Sequence, residues 1–281
     1  MNMQELASRT PTWCPGCGNY GLWAALKIAI SKTGWDPGQF VIVYGIGCSG
    51  NMTDFIHSHG FHSLHGRAIP SAVGIKLANH ELKVIVVVGD GDCYGEGGNH
   101  FLHALRGNHD ITLIVHDNRV YGLTTGQTAP TSPKGYKSKS TPGGVIEVPI
   151  NAPAIAILQG ASLVVQGYAG DTPHLSGLMS EALNHKGLSL VNVLQPCVTF
   201  NKFNTYEYYK DHVYKIDQSF DSSNKMSGLS ALLDPEKIPV GVLYKNETQA
   251  FHTQLPQIAK IPLVSQNPFE RPLEEEFRKY I

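Results

Sequence analysis

No run of apolar residues in this 281-residue chain is long enough to cross a bilayer, which takes about 20 in a row. Net charge is nearly absent: 22 Lys and Arg face 23 Asp and Glu, for a formal charge of -1. So balanced a composition makes no electrostatic case for nucleic acid or for an anionic membrane. Internal repeats and low-complexity tracts are missing too. Charged residues amount to only 16%, against 42% hydrophobic, which is ordinary for a folded chain and excludes extensive disorder. Met1 to Pro11 is polar and lacks the apolar core of an export signal, so a cytoplasmic location is expected. The five cysteines are an odd count in such a chain. A disulfide framework is therefore the poorer reading, and a metal site or free thiols the better one.

Glycine, in contrast, is plentiful at 29, and much of it follows directly after apolar runs, where backbone can approach a ligand closely. Those runs are short and β-branched: 40–44, 83–88, 111–115, 162–166 and 188–194. Between them lie helical patterns at 20–31, 70–79, 98–105, 152–158 and 175–184. Continuous apolar strands alternating with helices predict an α/β fold, a mostly parallel sheet with helices on both faces. Residues 121–149 are rich in Gly, Pro, Ser, Thr and Lys, and too long for an idle connection, which predicts a ligand-covering loop. After Cys197 the pattern changes. Residues 1–197 read as one domain, and 198–281, with a weak strand at 240–244, as an extended tail that packs on a partner or over a bound group.

In open parallel sheets ligands bind beyond the carboxyl ends of the strands. The unusual residues collect there: Gly45-Ile-Gly-Cys48-Ser after the first run, Gly89-Asp-Gly-Asp92 after the second, Asp117-Asn118 after the third and Pro196-Cys197 after the last. Gly89-Asp90-Gly91 alone reads as a tight turn with a solvated carboxylate. With Asn118 following at the next strand end, 26 residues lying between it and Gly91, it resembles the thiamine diphosphate motif, in which such a pair holds magnesium on the diphosphate. Magnesium takes hard oxygen ligands and binds through one or two carboxylates plus phosphates, which suits Asp90. The resemblance implies that the backbone carbonyl of Val120 completes the set.

Cys14-Pro-Gly-Cys17 could be half a zinc site or a redox dithiol, but Cys48 and Cys197 are isolated rather than paired, unlike a zinc ribbon. Both end strands at the same edge, and four thiolates can hold a [4Fe–4S] cluster. Cys93 reads as a small apolar residue.

Trp13-Cys-Pro-Gly-Cys-Gly18, Gly45-Ile-Gly-Cys-Ser49, Leu64-His-Gly-Arg-Ala-Ile-Pro70, Gly89-Asp-Gly-Asp92 with Gly97-Gly-Asn-His100, and Tyr121-Gly-Leu-Thr-Thr-Gly-Gln127 together resemble the β subunit of 2-oxoacid:ferredoxin oxidoreductases. The match runs from Trp13 to about Cys197, with a weaker echo beyond. It implies cluster ligation by Cys14, Cys17, Cys48 and Cys197, and magnesium ligation by Asp90, Asn118 and Val120. It also implies that Ile46, Gly47, Cys48, Ser49, His65, Arg67, Gly91, Asp92, Gly122 and Leu123 surround thiamine diphosphate. Ferredoxin, coenzyme A, a 2-oxoacid and an α subunit are the implied partners. The α subunit would supply the catalytic Glu that activates the aminopyrimidine, since the strands here suffice for one domain only. Glu96, directly after the diphosphate motif, is expected on the wrong side of the cofactor for that role.

Two positions depart from the pattern: Asn51 and Thr125 stand where some members carry substrate-binding lysines. Pyruvate and 2-oxoglutarate both remain open as substrates, and the segment Gly60-Phe-His-Ser-Leu-His-Gly66 leans toward 2-oxoglutarate. Histidines 57, 59 and 62 read as surface or hydrogen-bonding groups. Two rival readings stand beside this one: a non-redox thiamine enzyme subunit, and a non-catalytic cysteine–zinc module.

Overall fold

A computed structural model describes residues 1–281 apart from 235, 268–273, 275 and 276. In chain order its helices are α1 (Asn19–Thr33), the single turn α2 (Gly47–Gly50), α3 (Ala68–Ala78), α4 (Gly98–Gly107), α5 (Ala152–Gln159), α6 (Thr172–Asn184), α7 (Tyr206–His212) and α8 (Lys225–Leu232). The strands are β1 (Phe40–Tyr44), β2 (His59–His62), β3 (Lys83–Gly89), β4 (Thr112–Asp117), β5 (Val120–Tyr121), β6 (Gln127–Thr128), β7 (Leu163–Tyr168), β8 (Ser189–Leu194), β9 (Val213–Lys215) and β10 (Ile238–Lys245). Among the described residues, eight of them form one sheet in the order β2-β1-β3-β4-β8-β7-β10-β9, and β5 pairs with β6 apart from it. The pairings from β2 through to β7 are all parallel.

The five predicted strands are the sheet's centre, and their apolar continuity has a direct cause. Ile42, Ile85, Val87, Ile114 and Val191 pack into one core with Leu22, Leu26 and Ile30 of α1 and Leu175 and Met179 of α6. Val43, Val84, Val86, Val88, Leu113 and Val115 pack into another with α3, α4 and α5. With helices on both faces, neither side of a strand can be polar. The α5 and α6 starts are capped as their sequences dictate: Asn151 and Asp171 side chains accept the backbone N–H groups of Ala154 and His174, with proline in each first turn.

In the main sheet β2 and β9 were not expected, and β10 is fuller than expected. β2 is exposed at all four positions on the sheet edge, so it carries no apolar run to read. β10, read as a weak strand in a tail, lies inside the sheet, antiparallel to β7 and flanked by β9. Its Val240, Leu243 and Tyr244 are buried. Pro239 and Gly241, the latter at φ 147°, interrupt the pattern that would have announced it. Residue 197 therefore does not end the sheet. The remaining stretch runs along the same chain, with Phe251 packed on His109 and His252 stacked on His80 at 5.1 Å between ring centroids. The part of the expected tail at 268–273 and 275–276 lies outside the described residues. No helix among the described residues is long and apolar enough to cross a membrane.

Candidate active site

The ends of β1, β3 and β4 open into a cavity of about 380 Å³. Ile46, Gly47, Cys48, Ser49, His65, Asp90, Gly91, Asp92, Asn118, Val120, Gly122 and Leu123 all line it. Arg67 does not. It sits exposed at the start of α3, its guanidinium bonded to the Gly66 carbonyl. The wall also includes Asn51, His62, Glu96, His116, Tyr121 and Thr124, which sequence reasoning had left out of the cofactor set. A histidine directly after the apolar run Leu113 to Val115 was the available signal for His116.

After β3 the backbone winds as a wide π-helical turn, Gly91–Glu96, before α4 begins. Asp90 starts it and is 1% exposed. One of its oxygens accepts the Arg119 backbone N–H at 2.8 Å and the Thr131 hydroxyl. Arg119 has φ 61°, so the chain doubles back after Asn118 to bring that N–H to Asp90. Burial, reinforced by the nearby Asp117 carboxylate, pushes the Asp90 carboxyl well above the usual range. A cation bound beside it would offset that penalty. Asn118 is fixed as well: its side-chain oxygen accepts the Val120 N–H at 3.0 Å, and its carbonyl accepts from Asn201.

Two glycine and aspartate roles differ from the simple expectation. The space beside Gly91 is taken by the Tyr121 ring, whose hydroxyl donates to the Gly91 carbonyl at 3.2 Å. Asp92 spends both carboxylate oxygens on protein: it accepts the N–H of Ile46 at 3.1 Å and of Gly66 at 2.5 Å. It lines the cavity as the brace that holds two of its loops. Glu96, which also lines the cavity, is paired with His65 at 2.8 Å.

A second cavity of about 160 Å³ adjoins the first. Cys14, Cys17, Cys48 and Cys197 all line it, and Cys48, Asn51, Asn118, Gly122 and Leu123 line both. Local structure gathers the sulfurs. A turn brings the Cys17 N–H to the Cys14 carbonyl at 3.0 Å just before α1, and the Gly18 N–H ties this turn to Pro196, next to Cys197. The Trp13 indole N–H holds the Cys48 carbonyl at 2.7 Å. Val198, Thr199 and Phe200, the first residues after Cys197, close one side. Burial, with the neighbouring thiols adding to it, pushes Cys17 to about 11 and Cys48 to about 12. Thiols so held ionise only against a positive group, which is what a metal cluster provides. Among the described residues no three Cys, His, Asp or Glu side chains close on a point suited to a single metal ion. The four cysteines share the wall of one cavity instead. Cys93 is buried in the opposite core, 2% exposed.

Residues 36–193 match the family model described as thiamine pyrophosphate enzyme, C-terminal TPP binding domain. Residues 197–260 match a second model, for the C terminal of the pyruvate ferredoxin oxidoreductase beta subunit. The chain is 46% identical over 256 residues to the 2-oxoacid:ferredoxin oxidoreductase subunit beta of Saccharolobus solfataricus, covering 86% of this chain and 84% of that one. The chain belongs to the 2-oxoacid:ferredoxin oxidoreductase beta-subunit family.

It is thus a thiamine diphosphate-binding subunit of an oxidoreductase, and a beta subunit implies an alpha subunit beside it. The 2-oxoglutarate synthase subunit KorB of Archaeoglobus fulgidus is 42% identical over 198 residues, 70% of this chain and 74% of that one. Among solved structures, a 2-oxoglutarate:ferredoxin oxidoreductase from Magnetococcus marinus, with 2-oxoglutarate, coenzyme A and succinyl-CoA bound, superposes with a TM-score of 0.93 at 34% identity. That match covers 100% of this chain and 96% of the other.

Proposed function

We propose that this subunit, joined to its alpha subunit, oxidises a 2-oxoacid, foremost 2-oxoglutarate, to an acyl-CoA and carbon dioxide. Cys14, Cys17, Cys48 and Cys197 would hold a [4Fe–4S] cluster, which would supply one-electron transfer toward ferredoxin. The observation that carries the reading is the shared wall. Four of the five cysteines line one cavity, and one of them, Cys48, also lines the thiamine diphosphate cavity. A non-redox thiamine enzyme has no use for that juxtaposition.

Thiamine diphosphate, when bound, supplies the electron sink that lets the bond between keto carbon and carboxylate break. The chain's own residues anchor it. Asp90, Asn118 and the Val120 carbonyl are the oxygen donors proposed for magnesium, a set of one carboxylate and two neutral oxygens that leaves room for diphosphate. Ile46, Gly47, Ser49, Gly91, Gly122 and Leu123 form the walls proposed to receive the cofactor, with Asp92 holding the Ile46 backbone in place. His65 is kept oriented by Glu96. Glu96 is thereby occupied beside the magnesium donors, so the Glu that activates the aminopyrimidine is proposed to come from the alpha subunit. Leu64 and Leu123, 75% and 53% exposed at or beside the cavity mouth, give that subunit an apolar surface to cover. The preference for 2-oxoglutarate rests on the relatives whose names carry that substrate. A cytoplasmic site of action is proposed with it.

The test is viologen or ferredoxin reduction by the co-expressed heteromer with a panel of 2-oxoacids. Reduction that needs both 2-oxoacid and coenzyme A, with the highest kcat/KM for 2-oxoglutarate, is the expected result. Decarboxylation by a colourless protein without acceptor reduction would refute the reading.

A further inference from the structure

The wall between the two cavities contains a hydrogen bond. Asn19, the first residue of α1, lines the cysteine cavity, and His116, in β4, lines the thiamine diphosphate cavity. Asn19 Oδ1 and His116 Nδ1 are 2.8 Å apart. Both residues are buried, at 0% and 1% exposure, and Asn19 Nδ2 and His116 Nε2 have no hydrogen-bond partner among the described residues. A buried polar group left unpaired forfeits its hydration for nothing, so two of them back to back point to occupants on both sides.

The chemistry of an amide orients the pair. One end of Asn19 is an acceptor and the other a donor. A carbonyl oxygen turned toward four sulfurs would be repelled, so the NH₂ faces them and Oδ1 faces His116. His116 must then carry its proton on Nδ1, which leaves Nε2 a bare acceptor facing the thiamine diphosphate cavity. The backbone N–H of Asn19 bonds the Cys17 sulfur, and Gln195 Nε2 reaches the same sulfur at 3.4 Å. Asn19 therefore presents donors from both its backbone and its side chain.

We propose that Asn19, held in place by His116, is a positioning residue that sets how readily an electron is taken up at the cysteine cavity. The bond to His116 further makes that readiness depend on what fills the thiamine diphosphate cavity. The inference rests on the iron–sulfur reading of the four cysteines. Uptake of one electron there breaks no bond and moves no proton; it adds one negative charge at the sulfurs, which N–H donors stabilise. A donor placed against His116 Nε2 polarises the imidazole, strengthens its Nδ1–H bond to Asn19, and so reaches the far cavity along a continuous hydrogen-bonded chain.

Anaerobically purified holoenzyme would be titrated potentiometrically with spectroscopic detection, alongside iron analysis, for wild type and for Asn19→Leu, His116→Phe and His116→Asn. Asn19→Leu is expected to keep its iron and show a more negative midpoint potential. His116→Phe should shift the same way by less, and His116→Asn, whose amide can still donate to Asn19, should stay near wild type. Adding thiamine diphosphate with magnesium should move the wild-type potential but not that of His116→Phe. Full iron with an unchanged potential in Asn19→Leu overturns the proposal while sparing the iron–sulfur reading; wild type without iron overturns both. If Asn19→Leu does not fold, the His116 pair decides: equal shifts in the Phe and Asn variants would show a packing effect and overturn the proposal.

Discussion

Gly66 donates its backbone N–H to the Asp92 carboxylate at 2.5 Å, and so locks the loop before α3 to the turn after β3. The other carboxylate oxygen takes the Ile46 N–H, so one side chain pins the loops that follow β1, β2 and β3. Asp92→Ala should cost about 2–5 kcal/mol, since two N–H groups lose a charged acceptor. Thermal melting of the assembled enzyme checks this, and Asp92→Asn, which keeps one acceptor, should fall between. A melting temperature unchanged in Asp92→Ala would show that Asp92 is no brace.

Iron content separates the cysteines. The purified subunit should contain about four iron atoms per chain, and Ser at position 14, 17, 48 or 197 should lose or destabilise them. Cys93→Ser should retain the iron, because Cys93 packs in the opposite core. The loss of iron in Cys93→Ser alone would reverse the ligand assignment.

Asp90→Ala and Asn118→Ala should weaken magnesium-dependent binding of thiamine diphosphate by more than about tenfold, the loss that follows even from removing an outer-shell partner of a metal. Iron should stay. Calorimetric titration reads the first quantity and metal analysis the second.

Lys76 and Asp110 form an ion pair of 2.7 Å at the opposite edge of the sheet, with side chains only 3% and 10% exposed. Burial opposes the charge on Asp110, but Lys76 and the Gly187 N–H outweigh it, and its carboxyl lies below the usual range. Its stabilisation is therefore present above the ordinary carboxylate pKa of about 3.9 and is lost as pH falls through the lower folded value. Asp110→Ala should cost about 3–5 kcal/mol by stranding Lys76, whereas Lys76→Met with Asp110→Ala should cost less. Denaturation at pH 7 distinguishes the two; equal losses would mean that the charge is immaterial.

Leu243 of β10 is 0% exposed. Leu243→Ala should destabilise the protein by about 2–5 kcal/mol, as for a core leucine. A strand merely laid on the surface would lose well under that, so the denaturation midpoint decides whether β10 is part of the core.

How much of this was legible follows from burial. β1, β3, β4, β7 and β8 were readable because helices cover both their faces, which forces unbroken runs such as Val84 to Val88. β2 was not, since His59 to His62 face solvent and nothing in their pattern demands a sheet. β10 was half-legible, with Pro239 and Gly241 breaking the run that Val240, Leu243 and Tyr244 would have made. Asp90, Asn118, Cys48 and Cys197, read from their places at strand ends, do line the two cavities, because backbone geometry fixes them there. Those that reach the cavity by folding over it, such as His62, Glu96 and Tyr121, carry no local mark. Arg67 shows the converse, since a side chain inside a matching segment can still turn outward.

The place of β10 also has a meaning in time. A ribosome delivers β7 long before residue 238, and parallel pairing with β8 can satisfy only one side of it. Until Ile238 to Lys245 emerges, the other edge of β7 stays an open ladder of N–H and C=O groups, the kind of edge that recruits stray strands. Slow passage through that stretch of the message, or a ribosome stalled within it, would leave the nascent chain sticky at a single defined seam. Yield on overexpression should then depend on how fast that interval is crossed.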